Sequence, residues 1–99
     1  MPAVLITGGA QRVGAALSRA FASWGYDVAI HYNGSAEAAE ALAHELGKMD
    51  VNVLTFQADL GDAQQTEDLI GKVVKSLPAL SCLVNNASLF IYDEGKTFT

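Results

Sequence analysis

The chain has 99 residues, which allows one small domain at most. A hydrophobic fraction of 51% against 17% charged excludes intrinsic disorder, and a net charge of −5 argues against a nucleic-acid footprint of clustered Lys and Arg. The longest uncharged run, residues 76–92, holds Pro78, Asn85, Asn86 and several serines, so no membrane span is expected, and the start of the chain lacks the basic region of a signal peptide.

Residues 3–7 are a short apolar run with β-branched members, which predicts a strand buried on both faces. Gly8 and Gly9 break it. Val13, Leu17, Ala20, Phe21 and Trp24 then recur at steps of three and four, predicting a helix with these residues on its apolar face and Gly25 at its end. Residues 28–32 are a second strand, followed by the turn chemistry of Asn33-Gly34. Ser35 suits an N-cap, with Glu37 in the first turn. Ala39, Leu42, Ala43 and Leu46 form a helical stripe closed by Gly47, with His44 beside Glu45 on the surface. Residues 51–56 make the third strand. Asp62 and Gln65 have capping-box spacing, Leu69, Ile70, Val73, Val74 and Leu77 give the third helix its face, and Pro78 stops it. Residues 80–84 are a fourth strand carrying Cys82 as a small hydrophobe, and they deliver Asn85-Asn86. A lone cysteine excludes an internal disulfide and fits a reducing compartment, so a cytoplasmic location is expected. No second Cys or His stands at ligand spacing, and no metal site is expected.

The order β-α-β-α-β-α-β forces parallel strands with right-handed crossovers, and the class is α/β, doubly wound. In such sheets the ligand sits beyond the carboxyl ends of the strands. The first βα turn is Thr7-Gly8-Gly9-Ala10-Gln11-Arg12-Val13-Gly14. Its glycines let the backbone approach a pyrophosphate, and the helix that follows aims free N–H groups and a positive dipole end at the anion. No Gly-Lys-Ser/Thr follows, which excludes a Walker loop.

Thr7-Gly8-x-x-x-x-x-Gly14 resembles the Thr-Gly-x-x-x-Gly-x-Gly fingerprint of the short-chain dehydrogenases/reductases. Asp59 after the third strand and Asn85-Asn86-Ala87 after the fourth are similar to two further marks of that family. The fingerprint's middle glycine is Arg12 here, and an arginine there resembles the pteridine-reductase branch, which is close to dihydromonapterin and dihydrofolate reductases. His31-Tyr32-x-x-Ser35, Ser88 in place of a glycine and Phe90 two residues later are similar to the same branch. The resemblance implies a Rossmann-like three-layer α/β/α fold with strand order 3-2-1-4. The first two helices lie on one face of that sheet and the third on the other.

It further implies cofactor contacts from Gly8, Arg12, Val13, Gly14, His31, Tyr32, Asn33, Ser35, Asp59, Leu60, Asn86, Ala87 and Ser88. Substrate contacts would come from Arg12, Ser88 and Phe90, with Phe90 covering a pterin ring. Each residue has a plainer role open to it. Arg12 can be a solvated first-turn charge, although a cation there opposes the helix dipole. Phe90 can be core packing, Asn85 a local backbone brace, and Asp59 a helix-start acid.

The expected cofactor is NADPH. An NAD-specific domain places an acid on the ribose hydroxyls about 20 residues past the glycines, but His31-Tyr32-Asn33 offers none. Ser35 opens a helix toward a 2′-phosphate, and Arg12 and His31 can add positive charge there. The family's catalytic Tyr-x-x-x-Lys is expected beyond Thr99. Tyr92 and Lys96 have that spacing, but Gly95 interrupts any helix and no fifth strand precedes them. An edge left apolar at residues 80–84 leads to the same expectation: residues 1–99 are the cofactor-binding front of a domain of ~250 residues, unless a partner chain covers the edge. On this reading residues 1–99 alone are inactive. The implied activity of the longer protein is hydride transfer from NADPH to a pterin or dihydrofolate-like ring. A 3-oxoacyl or carbonyl reductase and a non-catalytic nucleotide-binding module are the alternatives. The family resemblance further implies a small-molecule substrate and a homo-oligomer, commonly a tetramer.

Overall fold

The computed structural model describes residues 2–86. Eight elements follow one another: β1 (Ala3–Ile6), α1 (Arg12–Ser23), β2 (Asp27–Tyr32), α2 (Ala36–Leu46), a 3₁₀ turn (Gly47–Met49), β3 (Val53–Gln57), α3 (Ala63–Ser76) and β4 (Leu80–Val84). All three strand pairs are parallel and the sheet order is β3-β2-β1-β4. The expected doubly wound α/β order is therefore present. Parallel pairing brings every strand's carboxyl end to one edge of the sheet, so the loops after β1, β2, β3 and β4 meet there.

The strands' alternation sorts the core into two layers. Val4, Ile6, Val28 and Ile30 face α1 and α2, packing with Ala15, Ala22, Ala39, Leu42 and Leu46. Ala3, Leu5 and Ala29 face α3 and pack with Leu69, Val73 and Leu77. β1 is buried at all four positions, as a central parallel strand must be. Each fully buried Val, Leu or Ile contributes about 1.5–3 kcal/mol. β4 is the outer strand, half-buried at Leu80, Cys82 and Val84, with Leu83 55% exposed.

Several local expectations are corrected. Helix α1 does not bury Val13 or Trp24, which are exposed; it buries Gly14, Ala15, Ser18 and Ala22, with Leu17 and Phe21 at the margin. Small side chains let the helix axis approach the sheet, so size overrides hydrophobicity in choosing the face. Trp24 is the C-cap residue and packs edge-to-face on Phe21, ring centroids 5.3 Å apart. Gly25 does end the helix: it takes φ +89, its N–H bonds Ala22 O and the Tyr26 N–H bonds Phe21 O, a Schellman pair. Gly47 does close α2 as its C-cap residue, but without a left-handed turn. It stays right-handed and continues into the 3₁₀ turn, and Asp50 takes the left-handed turn at φ 65. Strand β3 starts two residues later than the apolar run suggests, because the Asn52 amide is drawn to the Asp27 carboxylate at 2.9 Å. On α3, Ile70 and Val74 are exposed while Leu69 and Val73 carry the packing.

Candidate functional site: the glycine turn and the ends of the parallel strands

The turn between β1 and α1 is held from four directions. Gly8 takes φ +61, in the left-handed region that glycine enters without steric cost. Its N–H donates to His31 Nδ1 at 2.9 Å, and its carbonyl accepts from Asn86 Nδ2 at 3.2 Å. The Gly9 N–H bonds the His31 carbonyl at 3.0 Å. The buried Ser18 hydroxyl, one turn into α1, lies 3.1 Å from Gly9 O and 2.9 Å from Gly14 O. Thr7 is tied to the end of β4 by its N–H to Val84 O (3.0 Å) and by its hydroxyl to Asn85 Oδ1 (3.1 Å). A Cβ on Gly14 would land on the Gly8 carbonyl, and one on Gly9 would stand 2.8 Å from Ile6 O. The helix therefore approaches the turn as closely as it does only because both positions lack a side chain.

Arg12, the first residue of α1, takes φ 54. The position is left-handed, which explains why a glycine fits it and why an arginine there carries strain. The N-terminus of α1 also has no partner of its own making. Gln11 at the N-cap makes no side-chain cap bond and no acid stands in the first turn. The opening N–H groups of a helix need acceptors, and an anion at this point would supply them. A glycine cradle, an uncapped helix end and an arginine at its first residue fit a dinucleotide's pyrophosphate.

Beside the turn lies a hollow of about 70 Å³ lined by Gly8, Ala10, Gln11, His31, Tyr32, Asn33 and Ser35, none of them acidic. The expected site residues from β1 and β2 thus come together, and Ala10 and Gln11 join them. Their signal in the sequence was only their place between the glycines. A second hollow continues along the start of α2, where Gln11, Gly34 and Ser35 meet Glu37. Ser35 occupies the N-cap position, yet its side chain makes no cap bond, so the hydroxyl is not committed to the helix.

His31 requires a correction. It does not add positive charge. The residue is 2% exposed, and Nε2 lies 2.8 Å from Ala58 O while Nδ1 accepts from Gly8. A carbonyl only accepts and an amide N–H only donates, so the ring is the neutral Nε2–H tautomer. Burial pushes its pKa down, opposed in part by the bond to Ala58.

At the end of β3, Asp59 Oδ1 accepts from Gly61 N–H at 2.9 Å, and the Asp59 N–H donates to Gln65 Oε1 at 2.9 Å. The cap of α3 is Asp62, whose carboxylate accepts from Gln64 and Gln65 N–H. The capping box is thus half built: Gln65 turns its oxygen to Asp59 and not back to the Asp62 amide. Leu60 is half-buried against the α3-side core. Asn86 is buried and braces the turn, while Val13 is exposed on the first turn of α1. Ala87, Ser88, Phe90, Tyr92 and Lys96 lie outside the described residues.

Comparison with known proteins agrees with this geometry. The profile of the short chain dehydrogenase family matches residues 2–98. The 3-oxoacyl-[acyl-carrier-protein] reductase FabG of Staphylococcus aureus is 36% identical over 85 residues, which is 86% of this chain and 35% of the relative. The structure of FolM alternative dihydrofolate reductase 1 from Brucella suis in complex with NADP is similar at TM-score 0.82 and 39% identity, covering 93% of this chain and 38% of that one. A 3-oxoacyl-[acyl-carrier protein] reductase from Brucella melitensis is similar at TM-score 0.78 and 35% identity, covering 86% of this chain and 33% of that one. The chain thus spans 33–38% of the length of these relatives. With its glycine turn, its strand order and a family match along nearly its whole length, the chain belongs to the short-chain dehydrogenases, a family of oxidoreductases.

Proposed function

We propose that this chain is the cofactor-binding front of an NADPH-dependent reductase whose substrate is a pterin or a dihydrofolate-like ring. The observation that carries the substrate class is Arg12. A left-handed position at the rim of a phosphate turn costs nothing with glycine and of order 1–2 kcal/mol with any other L-residue. An arginine kept there at φ 54 is explained by what its guanidinium does, namely bond a phosphate or a planar, hydrogen-bonding substrate ring. The likeness to a dihydrofolate reductase solved with NADP supports the same reading.

A nicotinamide cofactor, when bound, supplies the hydride for reduction of a C=N bond. The chain's own residues bind and orient. The first N–H groups of α1, at Arg12, Val13 and Gly14, take the pyrophosphate, with Gly8 bending the turn beneath it and Gly14 letting the helix close on that turn. Asn33 and Ser35 meet the 2′-phosphate, Tyr32 lines its hollow, and Asp59 and Leu60 lie along the adenine. Asn86 fixes the turn from the β4 side. Ala87 and Ser88 contact the cofactor, and Ser88 and Phe90 the substrate, as their place in the family pattern implies. The proton donor is a Tyr-x-x-x-Lys pair beyond Thr99, and Tyr92 and Lys96 take no part. The whole protein acts as a cytoplasmic homo-oligomer.

The kinship to FabG-type relatives favours a second reading, a 3-oxoacyl reductase on the same scaffold. Nicotinamide absorbance with the full-length protein separates the two. The proposal expects NADPH-dependent turnover of a dihydropterin or dihydrofolate, lost in Arg12→Ala. Turnover of a 3-oxoacyl thioester alone, with Arg12→Ala unaffected, overturns it. Binding of NADPH with no turnover of either substrate points to a nucleotide-binding module.

A further inference from the structure

His31 joins three segments that are distant in sequence. Its ring nitrogens bond the Gly8 amide (2.9 Å) and the Ala58 carbonyl (2.8 Å), and its own carbonyl takes the Gly9 amide (3.0 Å). Two successive amides of the phosphate turn therefore end on one residue of β2. Neither is left for a ligand, so the anion must be met by the amides that follow, at the start of α1. Gly8 sits at φ +61, and its carbonyl is the atom against which Gly14 packs. The Gly8–Gly9 peptide thus sets where α1 begins; the His31 carbonyl holds it at the Gly9 amide, and His31 Nδ1 holds the preceding peptide at the Gly8 amide, so the ring fixes one side of the left-handed bend at Gly8.

We propose that His31 is the positioning residue of the phosphate turn: its neutral ring holds Gly8 in the binding geometry, and protonation releases the turn, so that dinucleotide affinity falls with pH. The inference rests on the reading of this turn as a dinucleotide site. A proton on Nδ1 would set two donors against each other at the Gly8 amide, so that bond must break, while Nε2–H still donates to the Ala58 carbonyl. The new charge would also be buried with one backbone acceptor, Ala58 O, and no counter-ion among the described residues.

Among the described residues, the charged and titratable groups around the ring do not supply one. β1 and β3 carry none. β2 adds Asp27, which bonds Asn52 at the far end of the strand, and Tyr32. The turn and α1 bring Arg12 and Arg19, both positive. The loop after β3 brings Asp59 and Asp62, whose carboxylates bond the backbone at Gly61 and at Gln64 and Gln65. Helix α3 carries Glu67, Asp68, Lys72 and Lys75, all exposed, and Glu37 lines the neighbouring hollow at the start of α2. Burial already holds the ring below its ordinary pKa, which keeps the neutral form dominant near pH 7.

The test uses the full-length protein. In the ligand-free state, 15N NMR follows the His31 ring and the Gly8 amide from about pH 8 to about pH 5. Calorimetry with NADP⁺ runs over the same range for wild type and for His31→Asn, whose Oδ1 keeps an acceptor that does not titrate. The 2′-phosphate itself titrates near about pH 6, so the readout is the ratio of the two Kd values at each pH. Below the ring's midpoint the wild type should weaken relative to His31→Asn by up to about tenfold per pH unit, as its competent fraction shrinks. The Gly8 amide should shift with the ring's own midpoint. His31→Phe, which offers no acceptor, should bind weakly at every pH.

A Gly8 amide that does not follow the ring, a ring that never titrates before the protein unfolds, or a flat Kd ratio overturns the proposal. If His31→Asn does not fold, the ligand-free wild-type titration still decides the positioning role. If no variant binds NADP⁺ while Gly8 follows the ring, the dinucleotide reading fails and the positioning role stands.

Discussion

Arg12 and Ser35 separate what a residue does for the fold from what it does for a ligand. Arg12 is strained at φ 54. Arg12→Gly removes a left-handed penalty of about 1–2 kcal/mol and adds about 0.5–1 kcal/mol of chain entropy to the unfolded state. Denaturant melts should therefore show the glycine variant as stable as wild type or up to about 1.5 kcal/mol more so, whereas Arg12→Ala keeps the strain and gains nothing. If the arginine serves a ligand, the glycine variant should bind NADPH or substrate more weakly even as it gains stability; a variant unchanged in both would make Arg12 an idle surface charge. Ser35 makes no cap bond in α2. Ser35→Ala should therefore change stability by no more than a few tenths of a kcal/mol, below the usual loss of about 0.5–2 kcal/mol for a working cap. Its cost should appear in NADP⁺ affinity instead, at about 1.5–3 kcal/mol for a lost hydrogen bond to a charged group. A full cap penalty with unchanged affinity would return Ser35 to an ordinary helix start.

At the scale of elements, boundaries were legible wherever one residue carries a local physical reason. Gly25 takes a positive φ, Pro78 follows α3 closely, and Asp62 bonds two opening amides of that helix. Asp62→Ala should accordingly cost about 0.5–2 kcal/mol, since those N–H groups lose their acceptor. Thermal melts of the two variants should rank it well below Ser35→Ala, and equal melting would mean that Gln65 or water replaces the cap. The face of α1 was not legible, because periodicity counts apolar residues and does not measure how near the helix must come to the sheet. Close approach favours Gly14, Ala15, Ser18 and Ala22 over Val13 and Trp24. The glycine turn was legible from its spacing and its strand–turn–helix context. The part of His31 was not: its partners, Gly8 and Ala58, lie 23 and 27 residues away. One cue was present, a lone imidazole inside the apolar run of a buried strand, which favours a neutral ring over a cation.

Across the whole molecule, two groups with shifted pKa values bear on stability in separate pH windows. In the folded protein the His31 ring is held below its ordinary pKa by burial. The unfolded chain titrates that histidine near about 6.5. Between these values the unfolded state binds more protons, so stability rises with pH there and falls as pH drops from about 6.5 toward the folded value. Above about 6.5 the ring is neutral in both states and costs nothing. Glu45 behaves differently. Its carboxylate bonds Arg19 at 2.7 Å across α1 and α2, and that hydrogen bond comes first among the causes that lower its pKa. A depressed carboxylate stabilises fully above its unfolded value of about 4.3, and that contribution is lost as pH falls through the lower folded value. The pair is exposed, so its share is small and screened by salt. Melting temperature followed downward from neutral pH should therefore drop first in the histidine window and again in more acid solution. His31→Asn should flatten the first drop and leave the second, and Glu45→Gln should leave the first drop and change the second only slightly, as an exposed pair must. A single drop abolished by neither variant would place the acid sensitivity elsewhere, and a first drop that persists in His31→Asn would mean that the buried ring does not set it.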